Sequence, residues 1–384
     1  MRIIVSGGGT AGHVTPVLAL CAALKARKGT APVIDYIGSG GSLERDLVEA
    51  EGIGYHVISS GKFRRYRRGL VSELTDFSTM RQNAGDSMRI VKGIRQARRL
   101  LKTIKPDVVF VKGGFVGLPV GLAAAQLKIP LIIHESDTVM GLTNRVLARR
   151  AQLVATGFPV EVFDDVKLTA PLLATGNPVR EDILAGRRER GRKHFGLDTA
   201  RPTVLIIGGS TGAQAINEVV FGALAQLTES VNIIHQTGHH DIDAALFQRQ
   251  RLTPLARRRY VPQAFLRTEL ADAYALADVV VTRCGANVLA ELAALKKVAL
   301  LIPLPGSANN HQAHNAHYIV RRGAARLLEQ SRLTPRTLRA EIDKLIDEPS
   351  DRRYLEEAIG KLAVRNAAEL LAEAVVRVVE QRRA

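Results

Sequence analysis

Short apolar, β-branched runs alternate with amphipathic stretches along the first half of the chain. The runs fall at Ile3–Val5, Val33–Ile37, Tyr55–Ile58, Val108–Val111, Leu131–His134 and Leu153–Ala155, with a further strand before Gly176. Helical patterns such as Val17–Lys25 and Leu43–Ala50 lie between them. Strands apolar along their whole length are buried on both faces, and their alternation with helices predicts a parallel, doubly wound α/β sheet. After a basic helical stretch, Arg180–Phe195, the pattern resumes at Val204–Ile207, Asn232–His235, Val279–Thr282, Val298–Ile302 and Ala325–Leu328. Two such domains suit a chain of 384 residues. The turn Gly176-Asn177-Pro178-Val179-Arg180 marks the boundary, giving domains at 1–177 and 178–361. Leu355–Val379 reads as one helix, with Leu370, Leu371, Ala374, Val375, Val378 and Val379 along one face. Residues 60–90 are polar, basic and poor in periodicity, and read as a long surface excursion.

Doubly wound sheets bind ligands at the carboxyl ends of their strands, so the residues after each strand matter most. Ser6-Gly7-Gly8-Gly9-Thr10-Ala11-Gly12-His13 follows the first strand and opens a helix. Glycines let backbone N–H groups approach a ligand, and the helix N-terminus behind them favours negative charge. His13 adds a titratable group at the same corner. A second loop of this kind, Gly208-Gly209-Ser210-Thr211-Gly212, follows Thr203–Ile207, and Lys112-Gly113-Gly114 follows Val108–Val111. His134-Glu135-Ser136-Asp137 ends another strand, where consecutive polar groups are costly unless they face a polar site.

The most informative stretch is Thr282-Arg283-Cys284-Gly285-Ala286-Asn287-Val288-Leu289-Ala290-Glu291. A strand ends, glycine turns the chain, and a helix starts near Ala286. Its first N–H groups, over Ala286, Asn287, Val288, Leu289 and Ala290, suit a pyrophosphate. Glu291, one turn further, suits two ribose hydroxyls. The amides and imidazoles of Asn309-Asn310-His311-Gln312-Ala313-His314-Asn315 both donate and accept, as sugar recognition requires. Gly7, Gly9 and Gly12 formally spell a dinucleotide fingerprint. Asp35, the acid such a site would need, is followed by Tyr36-Ile37 and so precedes its strand's end, which argues against NAD.

Composition narrows the class. Cys21 and Cys284 are the only cysteines and form no CxxC, so there is no disulfide framework or zinc ribbon, in keeping with a reducing cytoplasm. His311 with His314, and His239, His240, Asp241 with Asp243, do not complete a convincing ligand set, so no metal and no other cofactor is expected. No signal-peptide pattern is evident, and no apolar run reaches the ~18 residues needed to span a bilayer. The formal charge of +17 is clustered at Lys62–Arg68, Lys92–Lys102, Arg187–Lys193 and Arg257–Arg259. Phe63, Tyr66 and Leu70 interleave with the first cluster as interfacial anchors do, which points to an anionic membrane surface. No nucleic-acid module is recognisable, so nucleic acid is not an expected partner.

Taken in order, these motifs resemble the MurG family of peptidoglycan-synthesising N-acetylglucosaminyltransferases. The matching pieces are Gly8–His13, Gly113-Gly114-Phe115-Val116, His134-Glu135, Gly141-Leu142-Thr143-Asn144, Gly176–Arg180, Gly208–Ala213, Gly285-Ala286 with Glu291, and His311-Gln312 with Asn315. The resemblance implies the GT-B fold: two Rossmann-like doubly wound domains facing a central cleft, with a C-terminal helix, about 362–384, returning to the first domain. It implies inverting transfer of N-acetylglucosamine from UDP-N-acetylglucosamine to undecaprenyl-linked lipid I, giving lipid II, by a peripheral protein on the cytoplasmic face of the cell membrane. Glu291 is then the ribose acid. Ser210, Arg180 and the turn at Ala286 become nucleotide and diphosphate contacts, Gln312 and Asn315 sugar contacts, and Leu266 an apolar contact to uracil. Thr10, Ala11 and Gly12 form the first-domain side of the site. His13 is the first candidate for the base and Glu135 the second. The family usually reads His-Glu-Gln-Asn where this chain has His134-Glu135-Ser136-Asp137, has Thr where Val288 stands, and has Tyr where Phe115 stands. Asp137 thus brings a negative charge into the substrate-binding region. The alternatives are a related UDP-sugar-dependent diacylglycerol glycosyltransferase, a nucleotide-sugar epimerase, and a membrane-associated scaffold that has lost catalysis.

Overall fold

The computed structural model describes residues 1–8, 11–29, 31–61, 77–198, 200–209 and 212–383, and of residues 11, 43 and 77–85 the backbone alone. Thr10, Ser210 and the basic run Lys62–Arg68, with Phe63, Tyr66 and Leu70, lie outside the described residues. The chain forms two compact units, Met1–Val179 with Arg365–Ala384, and Arg180–Val364.

The first unit is built on a parallel seven-stranded sheet of order β3-β2-β1-β4-β5-β6-β7. Its strands are β1 Arg2–Ser6, β2 Val33–Gly38, β3 Gly54–Val57, β4 Val108–Val111, β5 Leu131–Glu135, β6 Leu153–Thr156 and β7 Leu172–Ala174. Ile3 pairs with Ile34 on one side and with Val108 on the other. The order therefore reverses at β1, and the turns after β1 and β4 open side by side. One face buries Ile3, Val5, Phe110 and Ile132 against Val17 and Leu20 of the helix Ala11–Ala26 and Leu371 and Val375 of the helix Ala367–Arg383.

The second unit repeats the plan with six parallel strands in the order β10-β9-β8-β11-β12-β13. They are β8 Thr203–Ile207, β9 Asn232–Gln236, β10 Tyr260–Gln263, β11 Val279–Thr282, β12 Ala299–Leu301 and β13 Arg326–Leu327. Here the order reverses between β8 and β11. Val204, Ile206, Ile233, Val281 and Leu300 pack against Ile216, Val220 and Leu224 of the helix Gln214–Ser230.

Four sequence expectations change. Residues 77–90 belong not to a loop but to a helix, Phe77–Ile104, that packs on the helix Gly114–Gln126. Its buried positions include Gly93 and Ala97, and a Cβ at Gly93 would lie 2.0 Å from the Ser59 carbonyl oxygen. Between Met80 and Met88 the helix has Ala84 as its one apolar residue, which leaves little apolar periodicity to read. The strand β10 was not expected, because a basic run precedes it and it contains Pro262. An edge position, which β10 has, is where a sheet tolerates proline. Leu355–Val379 is not one helix: Pro349–Gly360 ends in the second unit and Ala367–Arg383 belongs to the first. Arg180–Phe195 likewise divides into Glu181–Leu184 and Arg188–Phe195. Gly186 between them abuts the Ala271 carbonyl, where a Cβ would stand only 2.0 Å away.

The helix Ala367–Arg383 is expected to hold the first unit together. Leu371 is fully buried in that unit's core. Leu371→Ala should lower stability by about 3 kcal/mol in chemical denaturation; an unchanged midpoint would contradict the packing.

Candidate functional site

In the second unit the polar groups gather at the carboxyl ends of successive strands. Gln236 ends β9; its Nε2 donates to the Gly209 carbonyl at 3.1 Å and its Oε1 accepts from the Leu266 N–H at 3.0 Å. One side chain thus ties the turn after β8 to the segment after β10. Leu266 is 2% exposed. After β11, Gly285 is the N-cap of the helix Ala286–Leu295 and makes no side-chain capping bond. The initial N–H groups of a helix have no partner within it. Asn287, Val288 and Ala290 are half-buried, whereas Ala286 and Leu289 turn their side chains inward. The helix His311–Val320 shapes the same turn. Gln312 Oε1 accepts from Cys284 N–H at 3.3 Å and Leu304 N–H at 3.0 Å, and Asn315 Nδ2 donates to the Cys284 carbonyl at 3.1 Å. Asn315 is fully buried, so its amide acts on the turn itself.

Glu291 stands on the helix Ala286–Leu295, half-buried, with Oε2 accepting from the Tyr274 hydroxyl at 2.9 Å. Desolvation raises its pKa to about 7, with Tyr274 and Arg180 opposing the rise and Asp182 adding to it. Arg180 pairs with Asp182 at 3.3 Å. A carboxyl, a guanidinium and a helix N-terminus therefore share one end of this sheet. Sequence reasoning missed Gln236, Tyr274 and Arg283. The Arg283 guanidinium donates to the Ile302 and Pro303 carbonyls, tying the ends of β11 and β12. An arginine directly after an apolar strand was the available signal.

In the first unit three turns meet. Gly114 has φ 74°, and a Cβ there would lie 2.4 Å from the Gly8 carbonyl oxygen. The turns opening the helices Ala11–Ala26 and Gly114–Gln126 are thus in direct backbone contact. Behind Gly7 and Gly8 sits Glu44, whose oxygens accept from Tyr36, Tyr55 and Ser39; the Tyr36 hydroxyl also lies 2.9 Å from the Gly7 carbonyl. Lys112 is 2% exposed. Its Nζ donates to His134 Nδ1 at 2.8 Å and to the Ser136 hydroxyl. His134 Nε2 lies 3.0 Å from the Gly176 carbonyl, which only accepts, so Nε2 carries the hydrogen. Burial and the Lys112 charge hold His134 well below its ordinary value, and the ring is neutral. Burial brings Lys112 down to about 8, while Glu135 and Asp137 pull the other way.

Residues 3–156 match the glycosyltransferase family 28 N-terminal domain and residues 203–371 its C-terminal domain. A UDP-N-acetylglucosamine–N-acetylmuramyl-(pentapeptide) pyrophosphoryl-undecaprenol N-acetylglucosamine transferase of Lachnoclostridium phytofermentans is 39% identical over 356 residues, covering 92% of this chain and 93% of that one. The protein of the same description in Clostridium botulinum is 41% identical over 347 residues, 90% and 91% of the two chains. MurG of Acinetobacter baumannii matches in structure with a TM-score of 0.69 at 28% identity, over 98% of this chain and 99% of that one. The chain belongs to the MurG family. Its two doubly wound units are those of the GT-B fold. A UDP-GlcNAc 2-epimerase of Neisseria meningitidis, at 13% identity and a TM-score of 0.66 over 98% and 100% of the chains, shares that fold alone.

The MurG-family motifs fall on these two clusters as follows. Arg180, Leu266, Ala286 to Glu291, Gln312 and Asn315 lie in the second unit. Ala11, Gly12, His13, Glu135 and Asp137 lie in the first. His13 is half-buried in the first turn of the helix Ala11–Ala26. Glu135 is 4% exposed and both its oxygens are occupied, by the N–H groups of Asp137 and Gly141 and by Asn144 Nδ2. As placed, it clasps the 136–141 loop instead of facing a substrate hydroxyl. Burial, then Asp137, raise its pKa. Asp35 faces His56 at 3.0 Å from within β2. Among the described residues no three His, Cys, Asp or Glu side chains come together to hold a metal ion.

Glu291 carries a pH signature. Folding raises its pKa, so stability is lost as pH climbs from the ordinary carboxylate range through about 7. Glu291→Gln keeps the Tyr274 contact and removes that loss. Its melting temperature should exceed the wild type's at about pH 8 by on the order of 5 °C, and should match it at about pH 4. Equal curves at both values would show that this carboxyl is not desolvated.

Proposed function

We propose that this chain is the hexosyltransferase that moves N-acetylglucosamine from UDP-N-acetylglucosamine to the muramoyl 4-hydroxyl of lipid I, giving lipid II for peptidoglycan synthesis. The observation that carries the reading is 39–41% identity, along about nine-tenths of the chain, to transferases so described. Through that product the enzyme serves cell-wall biogenesis, and with it cell shape and division.

The second unit takes the donor. Glu291, ionised, accepts from the two ribose hydroxyls, and the N–H groups of the first turn, from Ala286 to Val288, meet the diphosphate. The segment of Leu266, held by Gln236, gives the uracil an apolar wall, and Gln312 reaches the sugar. Ser210, of the Gly208–Ala213 sequence motif, adds a hydroxyl to the diphosphate. Arg180 offsets the charge that develops as UDP departs, so the leaving group is stabilised without a metal. The first unit takes the acceptor. The helix that begins at Ala11 and Gly12 points its N-terminus towards the acceptor's anionic part, Thr10 is assigned to the same subsite from its motif alone, and Asp137 lines that subsite. The 4-hydroxyl attacks the anomeric carbon in a single displacement that inverts configuration. Its pKa lies far above neutrality, so the proton must pass to a base as the bond forms; His13, with an imidazole suited to that range, is that base. The occupied oxygens of Glu135 leave it a supporting task.

We also propose that the enzyme works as a peripheral protein on the anionic cytoplasmic face of the cell membrane. Lys92, Arg95, Arg98, Arg99 and Lys102 are exposed along the helix Phe77–Ile104, with Met88 72% and Val91 48% exposed near its middle. No helix of the described residues is long and apolar enough to cross a membrane.

Two measurements check this. Given UDP-N-acetylglucosamine and a lipid I analogue, with chelator present, the enzyme should form the disaccharide, and His13→Ala should lower kcat by about 10²–10⁴-fold with the donor Kd within about twofold. Transfer only from UDP-glucose to diacylglycerol would move the chain to the sibling activity, and an unchanged kcat would exclude His13. In sedimentation with vesicles, binding should need anionic lipid and weaken about tenfold or more between ~50 and ~500 mM salt. Equal binding to neutral vesicles would contradict the basic face.

A further inference from the structure

Lys112 has no task in the reaction as set out above, yet a buried ammonium is held against a large desolvation cost. Its two hydrogen-bond partners, His134 Nδ1 and the Ser136 hydroxyl, are both uncharged. The opposing charges come from Glu135 and Asp137, which flank Ser136. Those two carboxylates differ. Glu135 is sealed and its oxygens are taken by N–H groups. Asp137 is half-buried and keeps access to solvent, in the loop at the carboxyl end of β5. That end of a doubly wound sheet is where ligands are received. A carboxylate there repels a diphosphate, and an ammonium anchored one residue away offsets the repulsion.

We propose that Lys112 and Asp137 form one electrostatic unit, in which Lys112 is the countercharge that lets an acidic residue line the subsite of an anionic, diphosphate-bearing acceptor. The inference rests on the reading that the first unit takes the lipid-linked acceptor. Lys112 is a positioning residue in this account; it does not touch substrate. The anchoring is geometric. The Lys112 backbone N–H donates to the Ser6 carbonyl at 2.8 Å, and a Cβ at Gly7 would lie 2.8 Å from the Lys112 Cβ. These contacts fix the root of the side chain, and the bonds from Nζ to His134 Nδ1 and the Ser136 hydroxyl hold the ammonium at the loop that carries Asp137.

The charge arithmetic makes the proposal testable. Lys112→Met lowers the local formal charge by one, Asp137→Asn raises it by one, and the double variant restores the wild-type value. Acceptor KM, donor KM and kcat are measured for the four proteins with a lipid I analogue. Lys112→Met should raise acceptor KM about tenfold, Asp137→Asn should lower it about threefold, and the pair should return within about twofold of wild type, with donor KM nearly constant. A defect in Lys112→Met that Asp137→Asn does not relieve would overturn the proposal, as would an acceptor KM raised by Asp137→Asn alone. Asp137→Asn decides by itself if Lys112→Met does not fold. A wild type without transfer to the analogue would instead overturn the functional reading. The affinity of the variants for inorganic pyrophosphate, tightest for Asp137→Asn and weakest for Lys112→Met, would then still decide the charge pair, and an equal affinity throughout would sink it.

Discussion

Two backbones touch where the turns after β1 and β4 meet, and the first unit is arranged around that contact. With 2.4 Å between the Gly8 carbonyl oxygen and the place of a Gly114 Cβ, no side chain fits. The contact is possible because β1 and β4 are neighbours at the point where the strand order reverses. It brings two helix N-termini, with their partial positive charge, to one place. It also fixes what lies beneath: Lys112 against Gly7, and Glu44 against Gly8, where a Cβ would be 2.7 Å from Oε1. The second unit reaches a similar result through side chains. There Gln236, Gln312 and Asn315 hold the turns after β8 and β11.

Buried charge is handled differently according to task. Glu135 and Glu44 each receive three or more hydrogen bonds, which is how a desolvated carboxyl is made tolerable. Such groups are scaffold. Glu291 receives a single described bond, from Tyr274, and its pKa rises to about 7. A carboxyl held away from water with capacity to spare is poised to accept from a ligand, and ligand hydroxyls would supply what solvent no longer does. The contrast among these acids lies in how many hydrogen bonds each receives, which their positions in the chain do not show.

Much of this was legible beforehand. Strands buried on both faces announce themselves as unbroken apolar runs, and β1, β4, β8 and β11 all appear where expected, each followed by its turn. The MurG-family assignment and the GT-B fold followed from the order of the motifs. The features that escaped have physical reasons. The helix Phe77–Ile104 has Ala84 as its one apolar residue between Met80 and Met88, and its buried residues Ile90, Ala97 and Leu101 come later, so its first half carries little hydrophobic signal. The strand β10 contains a proline that only an edge position permits. Glu135 and Asn315 read as chemistry in the sequence because they are polar beside glycine turns. Their burial, and the backbone groups they bind, emerge only when distant segments come together. Lys112 was visible as a residue but not as a charge, since its partners lie more than twenty positions away.

The most direct measurement is the anomeric configuration of the product formed from UDP-N-acetylglucosamine and a lipid I analogue, read by proton NMR. Single displacement with His13 as base requires a β-linked disaccharide released together with one UDP. An α-linked product would contradict that mechanism, and UDP release without any disaccharide would contradict the assignment of the first unit to the acceptor.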